Sequence, residues 1–228
     1  MNWFTQTLAS TLGKKCIMAL TGLFLITFLV VHVAGNLSLL KDDGGQTFNL
    51  YTAFMTTNPV ISFLSYANYT MILLHIVYAL MLTMQNRKAR PIGYAVNKPA
   101  KNSHWTSRNM GILGTLILIF LIVHLRGFWY TFKFGNPPKV TYAGVGEVKD
   151  MYAIVVAAYT QWWYALFYVI SMFFVAFHLL HGFKSAFQTL GLTHKKYTPF
   201  IEKVGIAFSI IVPGLFAFIP IWLYFKNI

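Results

Sequence analysis

The sequence predicts an all-α integral membrane protein with five transmembrane helices. The chain has 228 residues, of which 57% are hydrophobic and 10% are charged, and its mean hydropathy is +0.59. A helix that spans a bilayer needs roughly 20 apolar residues. Five charge-free runs meet or approach this length: Cys16–Leu40, Pro59–Gln85, Asn109–Leu125, Met151–Phe183 and Val204–Phe225. They leave no room for a separate soluble domain, so we expect a single transmembrane domain over residues 1–228.

The expected spans cover about residues 16–40, 60–85, 109–132, 161–190 and 204–225. The fourth charge-free run is too long for one upright helix, so Met151–Thr160 is expected to form an interfacial turn or short helix before the span. Residues 1–15 carry apolar side chains at near-helical spacing, which predicts an interfacial amphipathic helix. A signal peptide is a poorer interpretation, because the apolar run that follows is much longer than a signal peptide's apolar region.

The basic residues predict the orientation of the chain. With the N-terminus inside, twelve basic residues and a single acid face the cytoplasm: Lys14, Lys15, Arg87, Lys88, Arg90, Lys98, Lys101, Arg108, Lys184, Lys195, Lys196, Lys203 and the acid Glu202. An excess of Lys and Arg in short loops marks the cytoplasmic side. We therefore expect a multi-pass protein of the inner membrane of a bacterium, with its C-terminus outside. The same bias explains most of the +13 net charge, so no nucleic-acid partner is expected.

Four histidines lie at membrane depth, one in each of the first four spans: His32, His75, His124 and His178. Ionisable groups are costly there and usually mark a functional site. His32 lies seventeen residues beyond Lys15, which is ~26 Å from the inner side at 1.5 Å per residue. His124 lies sixteen residues beyond Arg108, or ~24 Å. These two histidines should therefore share a level in the outer half of the bilayer.

The other two histidines should lie nearer the inside. His75 is twelve residues before Arg87, or ~18 Å from the inner boundary. If the fourth helix ends at Gly191, His178 is thirteen residues from that end, or ~20 Å. Depth therefore sorts the histidines into an outer pair and an inner pair, drawn from alternate spans.

The joint pattern favours haem ligation over isolated structural hydrogen bonds between helices. Two imidazoles on facing helices form an axial pair for haem iron, and a six-coordinate iron of this kind transfers electrons without binding substrate. Zinc sites favour several converging ligands, often Cys or carboxylate, whereas these spans contain no acid and the one cysteine, Cys16, lies at a membrane edge. We therefore expect the first four spans to form a bundle around two stacked haem b groups.

The inner ligand from the fourth span has two candidates. His181 lies one helical turn from His178 on nearly the same face, so either could ligate the inner haem, and depth favours His178. His181 would then lie at the haem edge. Gly22 and Gly114 stand ten residues before their spans' histidines, where a glycine suits either a porphyrin edge or close helix packing.

Arg126 lies two residues beyond His124 and close to membrane depth. An arginine buried there needs an anion, and a propionate of the outer haem would serve as one. The alternative is that its long side chain reaches the outer surface. The sequence leaves both interpretations open.

These features together resemble a known family. The chain is similar over nearly its whole length to the dihaem cytochrome b membrane anchor of succinate dehydrogenase and quinol:fumarate reductase, of the single-chain, five-helix type. The resemblance rests on the five spans, on one histidine in each of the first four, and on two phrases: Ser107-Arg108-Asn109-Met110 opening span three and Phe177-His178-Leu179-Leu180-His181-Gly182 closing span four.

The resemblance implies His32 with His124 on the outer haem and His75 with His178 on the inner haem. The family places a glycine four residues after the span-four ligand, and Gly182 stands there relative to His178. The resemblance also implies flavoprotein and iron–sulfur subunits on the cytoplasmic face, menaquinone as electron-transfer substrate, and a place in the respiratory chain and tricarboxylic acid cycle.

Catalysis at the dicarboxylate would then belong to a partner subunit, and this chain would contribute to a quinone site. Some dihaem fumarate reductases carry a glutamate two residues before the span-four ligand for proton transfer across the membrane. This chain has Ala176 at that position, which argues against such a route here.

Two alternatives remain open at the level of sequence. One is a dihaem cytochrome b subunit of a hydrogenase or formate dehydrogenase, which would share the haem pattern but bind a different soluble partner. The other is a haem-free transporter or assembly scaffold with structural histidines. Against the transporter, Pro213 and Pro220 interrupt only span five, whereas many transporters contain paired broken helices.

Overall fold

The computed structural model describes residues 2–89 and 103–228, and within them the chain is mostly helical. In chain order the elements are α1 (Trp3–Ala9), α2 (Thr11–Asn36) with a 3₁₀ turn (Leu37–Leu40), α3 (Gln46–Thr57), α4 (Pro59–Lys88), α5 (Trp105–Arg108), α6 (Met110–His124) with a π-helical turn (Leu125–Tyr130) and α7 (Thr131–Phe134), β1 (Lys139–Tyr142), β2 (Gly146–Lys149), α8 (Met151–Tyr159), α9 (Trp162–Thr189) and α10 (Thr198–Asn227). Arg90, Lys98 and Lys101 of the charge argument lie outside the described residues.

The described residues contain five helices long and apolar enough to cross a membrane, which confirms the predicted fold class at that level. These spans one to five are Thr11–Leu40, Pro59–Lys88, Met110–Phe134, Trp162–Thr189 and Thr198–Asn227. Their dominant exposed surface is apolar, as a lipid-facing surface requires. The helices extend a few residues beyond the charge-free runs, because charged side chains at helix ends reach the interface.

The N-terminal region differs in detail from the helix expected over residues 1–15. Helix α1 ends at Ala9, and Ser10 has an extended backbone conformation. The Ser10 hydroxyl accepts a hydrogen bond from the Gly13 amide. A side-chain acceptor of this kind starts a new helix, so residues from Thr11 onward belong to span one. Helix α8 occupies most of the segment predicted to form a turn or short helix before span four.

Span four is the centre of the bundle. It packs against spans one, three and five, and span one also packs against span two. Gly205 on span five permits a close approach, since a methyl group there would stand 2.6 Å from Cδ1 of Phe183 on span four. Pro213 and Pro220 are both buried within span five, whose helix continues through them.

One end of the bundle is closed by short elements, of which the sequence predicted only α8. This capped end comprises the 3₁₀ turn, α3, the β1–β2 hairpin and α8. The hairpin strands are antiparallel, with Lys139 opposite Lys149 and Tyr142 opposite Gly146. A buried apolar cluster lies here, built from Leu39, Phe48, Phe128, Met151, Val155, Tyr159, Ala165, Tyr168, Ile219 and Leu223. These side chains fill the interior of this end of the bundle.

Candidate functional site

The structure brings the four span histidines together in two pairs. The rings of His32 on span one and His124 on span three have centroids 5.8 Å apart and planes at 88°. The rings of His75 on span two and His178 on span four have centroids 6.2 Å apart and planes at 68°. The partners within each pair are those expected from depth along the chain.

Two contacts fix the separation of the pairs along the bundle. Thr21 contacts His75, and His32 follows Thr21 on the same helix by eleven residues, or ~16 Å. Tyr168 contacts His124, and His178 follows Tyr168 by ten residues, or ~15 Å. Both routes place the His32–His124 pair at the capped end and the other pair about three helical turns towards the opposite end.

Aromatic side chains surround the His32–His124 pair. Phe28 stacks on His32 at 5.2 Å between ring centroids, and Phe216 of span five lies 5.4 Å from the same ring. Around His124 stand Phe120 at 5.6 Å, Phe128 at 5.5 Å and Tyr168 at 6.0 Å. Span five therefore reaches this pair, although it carries no histidine.

The Nδ1 atoms of the four histidines have different partners. Nδ1 of His75 lies 3.1 Å from the Thr21 hydroxyl, and Nδ1 of His124 lies 3.4 Å from the Tyr168 hydroxyl. Nδ1 of His32 lies 3.4 Å from the side-chain nitrogen of Asn36. Nδ1 of His178 is buried without a hydrogen-bond partner among the described residues.

Three tyrosines extend the polar contact of His124 towards the capped end. The hydroxyls of Tyr164 and Tyr168 are 3.2 Å apart, and the Tyr159 ring packs on both. Burial raises the pKa of the Tyr159 hydroxyl in α8 well above its ordinary value, so this group stays neutral at physiological pH. The cluster adds hydrogen-bonding groups without adding charge.

Each histidine pair offers two imidazole nitrogens, so a metal ion bound there would need its other ligands from a group that comes with it. Within residues 2–89 and 103–228, no group of three or more His, Cys, Asp or Glu side chains is placed to hold a metal ion. Metal–nitrogen bonds of about 2 Å to imidazoles on opposite sides of one ion place the ring centroids about 6 Å apart. The observed separations of 5.8 and 6.2 Å match this value.

The remaining candidate residues lie at the margins of the two pairs. His181 is partly buried one turn beyond His178, and the span-four ring that stands against His75 is that of His178. The Arg126 side chain is exposed, with its guanidinium 4.7 Å from the centroid of the Tyr130 ring. Lys184 forms an ion pair with Glu202 at 2.8 Å.

The two glycines singled out by spacing have different surroundings. A methyl group added at Gly22 would stand 3.5 Å from Cε1 of His75, so this glycine lies at the level of the second pair. The same addition at Gly114 would meet no atom within 4 Å among the described residues. Gly22 therefore adjoins a histidine ring, whereas Gly114 faces open space.

Sequence reasoning missed the side chains that contact the histidines, among them Thr21, Tyr168 and Phe216. A usable signal existed for Tyr168, which stands ten residues before His178 and therefore at the depth of the other pair. Phe216 carries no such signal, because aromatic residues are common throughout span five.

Comparisons with models of protein families, with curated proteins and with solved structures yield no match.

Proposed function

We propose that this chain is the membrane anchor and electron-transfer subunit of a succinate:quinone oxidoreductase. The observation that carries the proposal is the presence of two facing imidazole pairs at separate levels of an apolar helical bundle. Such pairs suit axial ligation of two haem b irons. The resemblance noted in the sequence supports the choice of complex.

The residues fit haem at both levels. The centroid separations of both pairs are compatible with two imidazole nitrogens on one iron, and a porphyrin would supply the other four ligands. The buried Nδ1 of His178 has no hydrogen-bond partner among the described residues, which is consistent with an ordered water beside it. When bound, haem b supplies reversible one-electron transfer at its iron.

The chain's own residues hold and insulate the two centres. His32 and His124 would hold the outer haem, and His75 and His178 the inner haem. The aromatic side chains around the outer pair and the apolar cluster at the capped end exclude water from it. The two pairs lie about 15 Å apart along the bundle, so haems held by them would supply an electron path between its two ends.

The orientation and partners belong to the same proposal. The basic excess favours an N-terminus in the bacterial cytoplasm, and the capped end would then lie outside. The inner haem then lies nearer the face where an iron–sulfur subunit and its flavoprotein would dock. Menaquinone would exchange electrons near the outer haem.

A reduced-minus-oxidised absorption spectrum of the purified protein tests the proposal first. We expect haem b bands and a ratio of two haems per chain. His32→Ala and His124→Ala should each remove the same haem, and His75→Ala and His178→Ala should each remove the other, because an axial pair fails when either ligand is lost. His194→Ala is the matched control, since His194 is exposed in the loop between spans four and five.

Absence of haem b bands from the wild-type protein would exclude every cytochrome function and leave the transporter or scaffold. Loss of the inner haem from His181→Ala but not from His178→Ala would reassign that ligand. If haem is present, the enzyme that co-purifies with the chain separates a succinate:quinone oxidoreductase from a hydrogenase or formate dehydrogenase.

A further inference from the structure

Each histidine pair contains one ring held by a hydroxyl from a neighbouring span and one ring that is not. In the pair of spans two and four, Thr21 of span one contacts His75, while Nδ1 of His178 has no partner in the described structure. In the pair of spans one and three, Tyr168 of span four contacts His124. Among the described residues, the hydrogen-bonding neighbour of Nδ1 of His32 is the side-chain amide of Asn36 on its own helix.

The Thr21 contact favours the tautomer of His75 that carries its proton on Nδ1. The Thr21 hydroxyl lies 2.9 Å from the Ile17 carbonyl oxygen and 3.0 Å from that of Met18, so its hydrogen is donated to the helix backbone. Its oxygen is then an acceptor for the Nδ1–H group of His75, 3.1 Å away. The Nε2 atom of His75 is left with a free lone pair, which is the state required of a metal ligand.

The Tyr168 contact can act in the same sense on His124. If Nε2 of His124 binds a metal, its Nδ1 must carry the hydrogen and donate it to the Tyr168 oxygen at 3.4 Å. The Tyr168 hydroxyl then donates a hydrogen bond to the Tyr164 oxygen, 3.2 Å away. The absence of a side chain at Gly127 leaves space for these hydrogen bonds, because a methyl group there would collide with the Tyr164 hydroxyl.

We propose that Thr21 and Tyr168 are positioning residues, one for each haem, which fix the ligand tautomer and set the reduction potential of their own centre. The proposal rests on the proposed haem ligation. Donation from Nδ1–H makes an imidazole a stronger electron donor to its metal. The oxidised iron is stabilised, and the potential of that centre is held down.

Potentiometry of Thr21→Val tests the inner centre, because valine keeps the shape of threonine and removes only the hydroxyl. We expect the reduced-to-oxidised ratio of the inner haem at a fixed potential to rise about tenfold, a shift of about 59 mV upward, with the outer haem unchanged. Thr21→Ser should restore the wild-type value. Thr27→Val is the matched control, since the Thr27 hydroxyl bonds only the Leu23 carbonyl and is exposed on the same helix.

Tyr168→Phe is the corresponding test of the outer centre. We expect the outer haem to shift in the same direction by a similar factor while the inner haem stays in place. Its axial-ligand signature in electron paramagnetic resonance should change as well. Tyr66→Phe removes a hydroxyl from an exposed tyrosine of span two and should leave both potentials unchanged.

The outcomes separate this inference from the proposed function. If the wild-type protein holds no haem, the proposed function fails and takes this inference with it. If two haems are bound and Thr21→Val or Tyr168→Phe moves neither potential, or moves both equally, only this inference is overturned. Selective loss of one haem from Thr21→Val with recovery in Thr21→Ser supports it, whereas loss that serine does not restore counts against it.

Discussion

Asn49 joins three elements of the capped end through its side-chain amide. Its nitrogen donates to the Tyr142 hydroxyl at 3.0 Å and to Oδ1 of Asp150 at 2.8 Å, and its oxygen accepts from the Tyr152 amide at 2.9 Å. Only 1% of the residue is exposed. A carboxamide can make four hydrogen bonds, and the Asn49 side chain makes three of them to protein groups.

Asn49→Ala should destabilise the fold, because it leaves buried polar groups on α8 and the hairpin without partners. The expected cost is about 1–3 kcal/mol for such a group, measured as a lower thermal unfolding midpoint in detergent. Asn86→Ala, at an exposed position of span two, is the control and should have the same thermal unfolding midpoint as the wild type. Equal midpoints for the two variants would show that the capped end does not depend on this amide.

At the scale of elements, span five combines two glycines in contrasting environments. A methyl group at Gly205 would meet the Phe183 ring at 2.6 Å, whereas the same group at Gly214 would meet nothing within 4 Å among the described residues. Both glycines lie inside one helix. The pair therefore separates the packing effect of a methyl group from its effect on helix propensity.

Gly205→Ala should lower stability by about 1–3 kcal/mol through overpacking of spans four and five. Gly214→Ala should raise stability by up to about 1 kcal/mol, because alanine restricts the unfolded chain more than glycine does. Thermal unfolding of both variants in the same detergent measures the difference. The interface would be looser than described if the two substitutions had the same sign.

The π-helical turn after His124 is the other element with a local role. It directs Phe128 onto the His124 ring, and it places Trp129 so that its indole N–H donates to the Tyr69 hydroxyl of span two at 2.8 Å. An extra residue in a helical turn redirects the side chains that follow it. The turn thus ties span three to span two at the end where their helices otherwise have little contact.

At the scale of the molecule, five membrane-crossing spans would put the two termini on opposite faces, and the excess of basic residues predicts which face is cytoplasmic. Cys16 is the chain's single cysteine, so Cys16→Ser provides a background free of thiols. Thr141 on the hairpin and Thr193 in the loop between spans four and five are exposed at opposite ends. They are matched positions for a labelling test.

In the Cys16→Ser background, a membrane-impermeant maleimide should label Thr141→Cys in intact spheroplasts and Thr193→Cys only in inverted vesicles. The reason is the Lys and Arg excess assigned to the cytoplasmic loops. Mass spectrometry of the purified protein measures the labelled fraction. The reverse pattern would invert the orientation and move the proposed inner haem to the outer face.

The sequence predicted those features that follow from hydropathy and helical rise. Five spans could be identified because charge-free apolar runs of this length are typical of membrane-spanning helices. The spacing of His32 and His124 from basic residues indicated that the two histidines share a level. Whether the four histidines hold haem stays a prediction. Their pairing in space is a geometric fact of the bundle.

The features that the sequence did not reveal depend on contacts between distant segments. The helix at Gln46–Thr57 and the hairpin are short, and their polar residues look like those of a loop until Asn49 connects them. The break at Ser10 depends on a single side-chain cap. Thr21 could not be assigned to His75 without knowing which faces of spans one and two meet.

The central position of span four has a consequence for the order of assembly. Chains are made from the N-terminus onward, so both members of the His32–His124 pair exist before span four has been synthesised. His178 and Tyr168 arrive together on that span, the first completing the other pair and the second supporting His124. The last of the four histidine-bearing helices to be synthesised thus completes one histidine pair and supports the other.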